Sequence, residues 1–317
     1  MLAKAHAREI LEGSGLVDDF IVAELPWTRA TNKYTLKGST ARQLRSLVSL
    51  LRRRTFDVTI DARMDIRSNL LAALTAAPVR IGYEIGGGGW LLTNSIPAER
   101  DASHKVDDWL ALFPLVPGAT ALQRQSRMPR LTVSEREVSD ARDRILSHTA
   151  IVAPVVGYHS GGSHAGKRWP LALFEQLVED LAVSAGGTHV FFLGPDDDAP
   201  TRLQRAAVLR RPTLREFMAE VSLCDLLVCN DSGPMHIADA LGVPVVAVFE
   251  VGNPQWYGPS GRRSVIVKGE LAGTGMSAVP LDTPPRRPVP LQAVKDAVHK
   301  VLGEVSRRHE RMSARTR

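Results

Sequence analysis

A pattern that occurs twice in the second half of this chain limits what it can fold into: an apolar strand, a turn of small residues, and a helix with proline near its start. In the first copy Val155-Val156-Gly157-Tyr158-His159 gives way to a loop from Ser160 to Gly166, then to Lys167-Arg168-Trp169-Pro170. Leu173, Phe174, Leu177, Val178 and Leu181 follow at the spacing of one helical face. In the second copy Leu226-Leu227-Val228-Cys229 runs through Asn230 into Asp231-Ser232-Gly233, and Pro234 opens a short helix carrying His236. Proline at the first helical position gives up only an N–H that had no partner there. Ser232 and Gly233 leave room for backbone N–H groups to converge on the helix start, where the macrodipole favours an anion. One such turn reads equally well as an ordinary strand–helix connection with a capping Ser and a solvated His. Two in one α/β domain point to a nucleotide diphosphate, with Lys167 supplying point charge and the loops supplying donors.

The loop Gly161-Gly162-Ser163 before Lys167-Arg168-Trp169-Pro170, together with Asp231, Ser232, Gly233 and His236, resembles the signatures of glycosyltransferase family 9. These are the heptosyltransferase-like enzymes of lipopolysaccharide core assembly. Asp57-Val58-Thr59-Ile60-Asp61, Arg67-Ser68 and Arg80-Ile81-Gly82 match more weakly in the first half. The resemblance implies an α/β GT-B architecture, two Rossmann-like doubly wound domains facing across a cleft, with the first domain incomplete at its N-terminus. Residues 1–150 would be the acceptor-side domain and 151–288 the nucleotide-sugar domain. Residues 289–305 would form a helix packing back on the first domain, and 306–317 a basic disordered tail.

The activity implied is inverting transfer of a heptose or related sugar from a nucleotide-diphosphate donor, ADP-heptose or similar, to a lipid-linked lipopolysaccharide core. Lys167, Asp231 and His236 would carry the chemistry, although Asp231 serves equally well to fix the turn. Ser163, Asp198, Ser232, Gly233 and Pro234 would hold the donor, and Arg67 and His104 the acceptor. Asp198 stands four residues after Gly194, where the family has an acid on the ribose and often a Glu; Asp196 or Asp197 could substitute. Neither a cofactor nor a metal is expected. Glu250-Val251-Gly252 follows Phe249 where the family commonly has Gly directly, so that loop departs from the pattern. Two other classes stay open: a catalytically impaired nucleotide-sugar binder, and a GT-B-fold nucleotide-sugar epimerase.

The family also opens with an apolar strand and a Gly-Asp turn whose Asp acts as general base. This sequence shows no counterpart, and a segment of roughly 35–45 residues would account for it. The first strand of a doubly wound sheet is central, so its loss would unpair both neighbours. Either translation starts upstream of Met1 or the chain is a decayed product.

Composition sets the remaining bounds. A length of 317 residues suits two domains, and 44% hydrophobic with 23% charged residues suits a soluble globular protein. No apolar run reaches the ~20 residues of a membrane span, and Met1 to Ile10 lacks a signal-peptide core, which predicts a cytoplasmic protein. Cys224 and Cys229 read as small buried side chains rather than a disulfide or metal pair. The net charge is +6, and Arg307 to Arg317 holds five arginines against one Glu. That tail reads as solvated chain, or as a peripheral contact with the inner face of the inner membrane worth about 1 kcal/mol per basic residue. Nucleic acid is disfavoured, with aromatics at 5% and no basic stripe interleaved with stacking rings. The Gly86–Gly89 run reads as a flexible loop rather than a phosphate cradle.

Overall fold

In the computed structural model the residues described are 1–28, 38–98, 104–119, 128–210, 213–261, 263–273, 284 and 287–315. They form two compact units, Met1–Arg8 with Gly15–Arg127, and Glu9–Ser14 with Met128–Arg317.

The first unit comprises β1 (Leu2–Ala3), α1 (Ala5–Leu11, shared at its end with the second unit), β2 (Ile21–Val22), α2 (Gly38–Arg53), β3 (Val58–Asp61), α3 (Ile66–Leu74), β4 (Val79–Glu84), β5 (Asn94–Pro97) and α4 (Lys105–Ala111). All its strand pairings are parallel, but they fall into two sheets, β1-β2 and β3-β4-β5. The core is correspondingly thin. Leu25, Leu51 and Leu71 are buried together with flanking contributions from Leu2, Ile21, Leu44, Leu47 and Val48, while Ile81, Tyr83 and Leu112 form a second cluster. Ile60 of β3 stays half exposed. The glycine run is a packed turn rather than the flexible loop expected. Gly86 and Gly87 have positive φ, and a Cβ on Gly88 would lie 2.8 Å from Ile66 Cγ1, so glycine lets the turn lie flat on α3.

Asp61 closes β3 with its side chain buried. Oδ1 accepts a hydrogen bond from Arg63 N at 3.0 Å, whereas Oδ2, like Asn69 Oδ1, has no partner among the described residues. Burial pushes the Asp61 carboxyl up to about 6 from its ordinary 3.8. A carboxyl raised in the folded state costs stability above its folded pKa and nothing below its unfolded pKa. Asp61→Asn is therefore expected to stabilise the first unit at pH 7 by on the order of 2 kcal/mol. The gain should shrink as the pH falls from 6 toward 4, as urea titrations at the two pH values would show. Equal gains at both would dissociate the effect from ionisation.

The second unit comprises α5 (Glu135–Leu146), β6 (Val155–His159), α6 (Leu171–Ser184), β7 (Thr188–Leu193), β8 (Ala207–Arg210), α7 (Leu214–Val221), β9 (Leu226–Asn230), α8 (Gly233–Ala240), β10 (Val245–Phe249), α9 (Pro254–Tyr257), β11 (Val265–Lys268) and α10 (Leu291–Arg315). Its six strands form one parallel sheet in the order β11-β10-β9-β6-β7-β8. Both faces are covered, which is why β6, β7, β9 and β10 are near-continuous apolar runs. Val156, Tyr158, Phe191, Val228 and Val248 pack under α6 and α10; Val155, Val190, Phe192, Leu227 and Ala247 pack under α5, α7 and α8.

Two boundaries and one packing partner differ from what the sequence suggests. The first unit ends at Arg127 rather than at 150, because α5 packs on α7. There Arg215 grips both oxygens of Glu137 at 2.7 and 2.6 Å, holding that carboxyl down at about 2, and Arg144 pairs with the fully buried Glu220. Ile145 joins the sheet core. The helix expected to return to the first domain instead seats Val294, Ala297, Val298, Val301, Leu302 and Val305 in the core of the second unit. That helix also continues to Arg315, through the segment expected to be a disordered tail. Residues 304–315 contain neither Pro nor Gly, and Glu, Arg, Met and Ala propagate a helix readily.

Candidate functional site

The two small-residue loops leave the C-terminal ends of adjacent parallel strands. β6 and β9 pair with Tyr158 opposite Val228 and His159 opposite Cys229, so the loops after them start side by side. Ligands of open α/β sheets bind at that edge. A single buried amide joins the loops: Asn230 Nδ2 donates to Ser160 O at 2.7 Å, and Asn230 Oδ1 accepts from Trp169 N at 3.0 Å.

Trp169 is itself buried against Phe174, ring centroids 4.9 Å apart, and its Nε1 donates to Val289 O at 2.8 Å. The Val289 amide donates to Glu250 Oε1 at 2.9 Å, and burial raises the Glu250 pKa. The departure from the family pattern after Phe249 thus places a buried carboxyl that ties the β10 end to the chain entering α10.

Lys167 and Asp231 meet at the centre. Nζ lies 2.6 Å from Asp231 Oδ2, with side chains only 14% and 5% exposed. Gly252, at φ +95°, closes the third side; a Cβ there would stand 2.9 Å from Asp231 Oδ2 and 4.0 Å from Lys167 Nζ. Glycine is required on both counts, backbone conformation and room.

α8 begins beside this pair. Its first residue is Gly233, with Pro234 second rather than first as expected, and Ser232 is the N-cap. The Ser232 hydroxyl turns back to donate to Asn230 O at 3.2 Å and does not cap the helix. Asp65, Ser134, Thr213 and Asn253 do cap their helices through side-chain oxygens. Among the described residues the α8 start is thus left without a side-chain cap, and nothing beyond its chain neighbours and the helix's own backbone lies within 4 Å of where a Gly233 Cβ would point. Backbone donors and a positive dipole end there suit an anion.

The other expected residues are distributed as follows. His236 is exposed on the first turn of α8, and Ser163 is exposed in the loop before Lys167. Asp198 and Asp196 are exposed in the turn after β7, whereas Asp197 points inward: its Oδ2 accepts from Gly194 N at 2.8 Å and sits 3.3 Å from His159 Nε2. This partner, chiefly, holds the Asp197 carboxyl down at about 2. Arg67 and His104 belong to the first unit, and each has a local role. Arg67 forms a fork with Asp65 at 2.9 and 2.7 Å and lies over the Trp27 ring, while His104 Nδ1 accepts from Val106 N at the start of α4.

Asn230 and His159 were not singled out as site residues by the sequence, and Glu250 only as part of the loop that departs from the family pattern. The available signal was a polar residue ending an otherwise apolar strand. Cys224 and Cys229 are free and buried, as expected. Among the described residues no group of three or more His, Cys, Asp or Glu could hold a metal, and no helix is long and apolar enough to cross a membrane.

Comparison with known proteins bears on this site. The family model for glycosyltransferase family 9 (heptosyltransferase) matches residues 44–275. Lipooligosaccharide heptosyltransferase 2 of Haemophilus influenzae is 24% identical over 239 residues, 69% of this chain and 68% of that protein. The structure of the E. coli ADP-heptose lipopolysaccharide heptosyltransferase II superposes with a TM-score of 0.68 at 21% identity, covering 96% of this chain and 88% of that one. A family 9 glycosyltransferase structure from Veillonella parvula gives 0.76 at 20% identity, covering 96% and 87%. The fold is the α/β GT-B fold of these structures.

Proposed function

Because the chain belongs to glycosyltransferase family 9 and is a glycosyltransferase of the heptosyltransferase kind, we propose that it moves a heptose from ADP-heptose to a lipopolysaccharide core acceptor with inversion at the anomeric carbon. One observation carries the donor assignment: the Lys167 ammonium is held 2.6 Å from Asp231 beside the uncapped start of α8.

In such a transfer the sugar–phosphate bond breaks and negative charge builds on the departing diphosphate. Donors fixed beforehand at that position stabilise the transition state without reorganising. Lys167 supplies full charge and the Ser232-Gly233-Pro234 turn supplies the helix start. Asp231 orients the Lys167 ammonium, and its neighbour Gly252 lets backbone approach both. Ser163 and His236 extend the polar lining toward the phosphates or the donor sugar, and Asp198 toward the ribose. Arg67 and His104 would meet an anionic, lipid-linked core, and the enzyme would then work at the cytoplasmic face of the membrane carrying it.

The test is direct. The chain incubated with ADP-heptose and a core acceptor lacking heptose should release ADP while the acceptor gains one heptosyl group, with inverted configuration by NMR. ADP-heptose recovered as an epimer, or bound without turnover, would overturn the transfer reading and favour the epimerase or the inactive binder respectively.

A further inference from the structure

His159, at the end of β6, is buried and held on three sides. Its Nδ1 accepts from Gly161 N at 3.2 Å, which makes Nε2 the proton-bearing nitrogen of the neutral ring. Nε2 faces Asp197 Oδ2 at 3.3 Å, and the ring packs edge-on against Phe217 with centroids 5.8 Å apart. Asp197 uses that same Oδ2 to accept from Gly194 N at 2.8 Å. From its other side the turn is clamped by Arg210, which donates to Gly194 O, Pro195 O and Asp197 O at 2.6, 2.7 and 2.8 Å. Gly161 completes the arrangement: a Cβ there would stand 2.6 Å from both Asp197 Oδ1 and His159 Cε1. The pair therefore fixes two loops against each other, the one leading from β6 to Lys167 and the one leading from β7 to Asp198.

We propose that His159 and Asp197 are positioning residues that set the distance between the diphosphate grip and the nucleoside end of the donor site, so that both ends of one nucleoside diphosphate are met at once. This rests on the donor reading above. Neither residue touches the phosphates. Their effect is exerted through Gly161 and Gly194, whose amides they hold. A ligand that spans both loops depends on the spacing, whereas one confined to the Lys167 end does not.

That difference supplies the test. Calorimetric affinities for ADP and for inorganic pyrophosphate are measured on the full chain and on His159→Ala, Asp197→Ala, Gly161→Ala and Asp197→Asn. The three disruptive variants should bind ADP at least tenfold more weakly and pyrophosphate within about twofold of the parent. Asp197→Asn should stay within about threefold for both, since both bonds converge on one oxygen and an amide oxygen can accept both. With ADP-heptose as substrate the loss should appear in KM and leave kcat nearly unchanged. Equal losses for ADP and pyrophosphate, no loss for either, or an Asp197→Asn variant as weak as Asp197→Ala would each overturn the proposal. A parent chain that binds no ADP would instead refute the donor reading itself, so the two failures are distinct.

Discussion

Lys167→Ala is expected to lower the stability of the second unit by about 3 kcal/mol and to weaken ADP binding by tenfold to a hundredfold. The first effect follows from burial. Asp231 is 5% exposed and its Oδ2 rests 2.6 Å from Lys167 Nζ, so removing the lysine strands a carboxylate in a poorly solvated place. Breaking such a pair from one side costs about 3–5 kcal/mol, more than the pair itself contributes. The second effect follows from a charge-assisted hydrogen bond to the diphosphate, worth about 1.5–3 kcal/mol. The two separate in Lys167→Ala/Asp231→Asn, where the stranded charge is gone. Urea unfolding of the double variant should recover most of the stability while calorimetry shows ADP affinity still reduced. A double variant that regains ADP affinity along with stability would mean that the lysine acts only by neutralising Asp231. A Lys167→Ala variant binding ADP as the parent does would remove Lys167 from the site.

What could be read from the sequence divides along physical lines. The strands of the second unit were visible because a sheet covered on both faces writes itself as unbroken apolar runs; Val155–His159 was located to the residue. The short outer strands Ala207–Arg210 and Val265–Lys268 left no such signature, since their side chains are only partly buried. The family resemblance sent the helix of residues 289–305 to the first domain, whereas its apolar residues are seated in the core of the second unit. Chain spacing explains the omissions at the site. Asn230 finds Ser160 across 70 residues, and His159 finds Asp197 across the β6–β7 connection. A sequence shows that such groups exist but not which of them meet. Ser232 shows the reverse: an ideal capping residue by type, whose hydroxyl goes to Asn230 O and does not cap the helix it precedes.

The second large effect is expected at Asn230, which lies wholly buried between the loops. Asn230→Ala removes the acceptor of Trp169 N–H and the Nδ2 donor to Ser160 O together. A buried polar group left without a partner costs about 1–3 kcal/mol, so the substitution should destabilise the second unit by about 2–5 kcal/mol. Asn230→Asp should be no milder, although it keeps an oxygen for Trp169 N. Its second oxygen would face the Ser160 carbonyl, acceptor against acceptor, in a site with Asp231 as the next residue. Because Trp169 N lies two residues beyond Lys167, the loosened loop should also cost ADP affinity in whatever fraction of either variant remains folded. Thermal or urea unfolding monitored by Trp169 fluorescence, with the other tryptophans replaced, reports both the stability and the local environment of the indole. An unfolding midpoint equal to that of the parent, with unchanged Trp169 emission, would mean that the loops hold their places without Asn230, and that the geometry around Lys167 has another source.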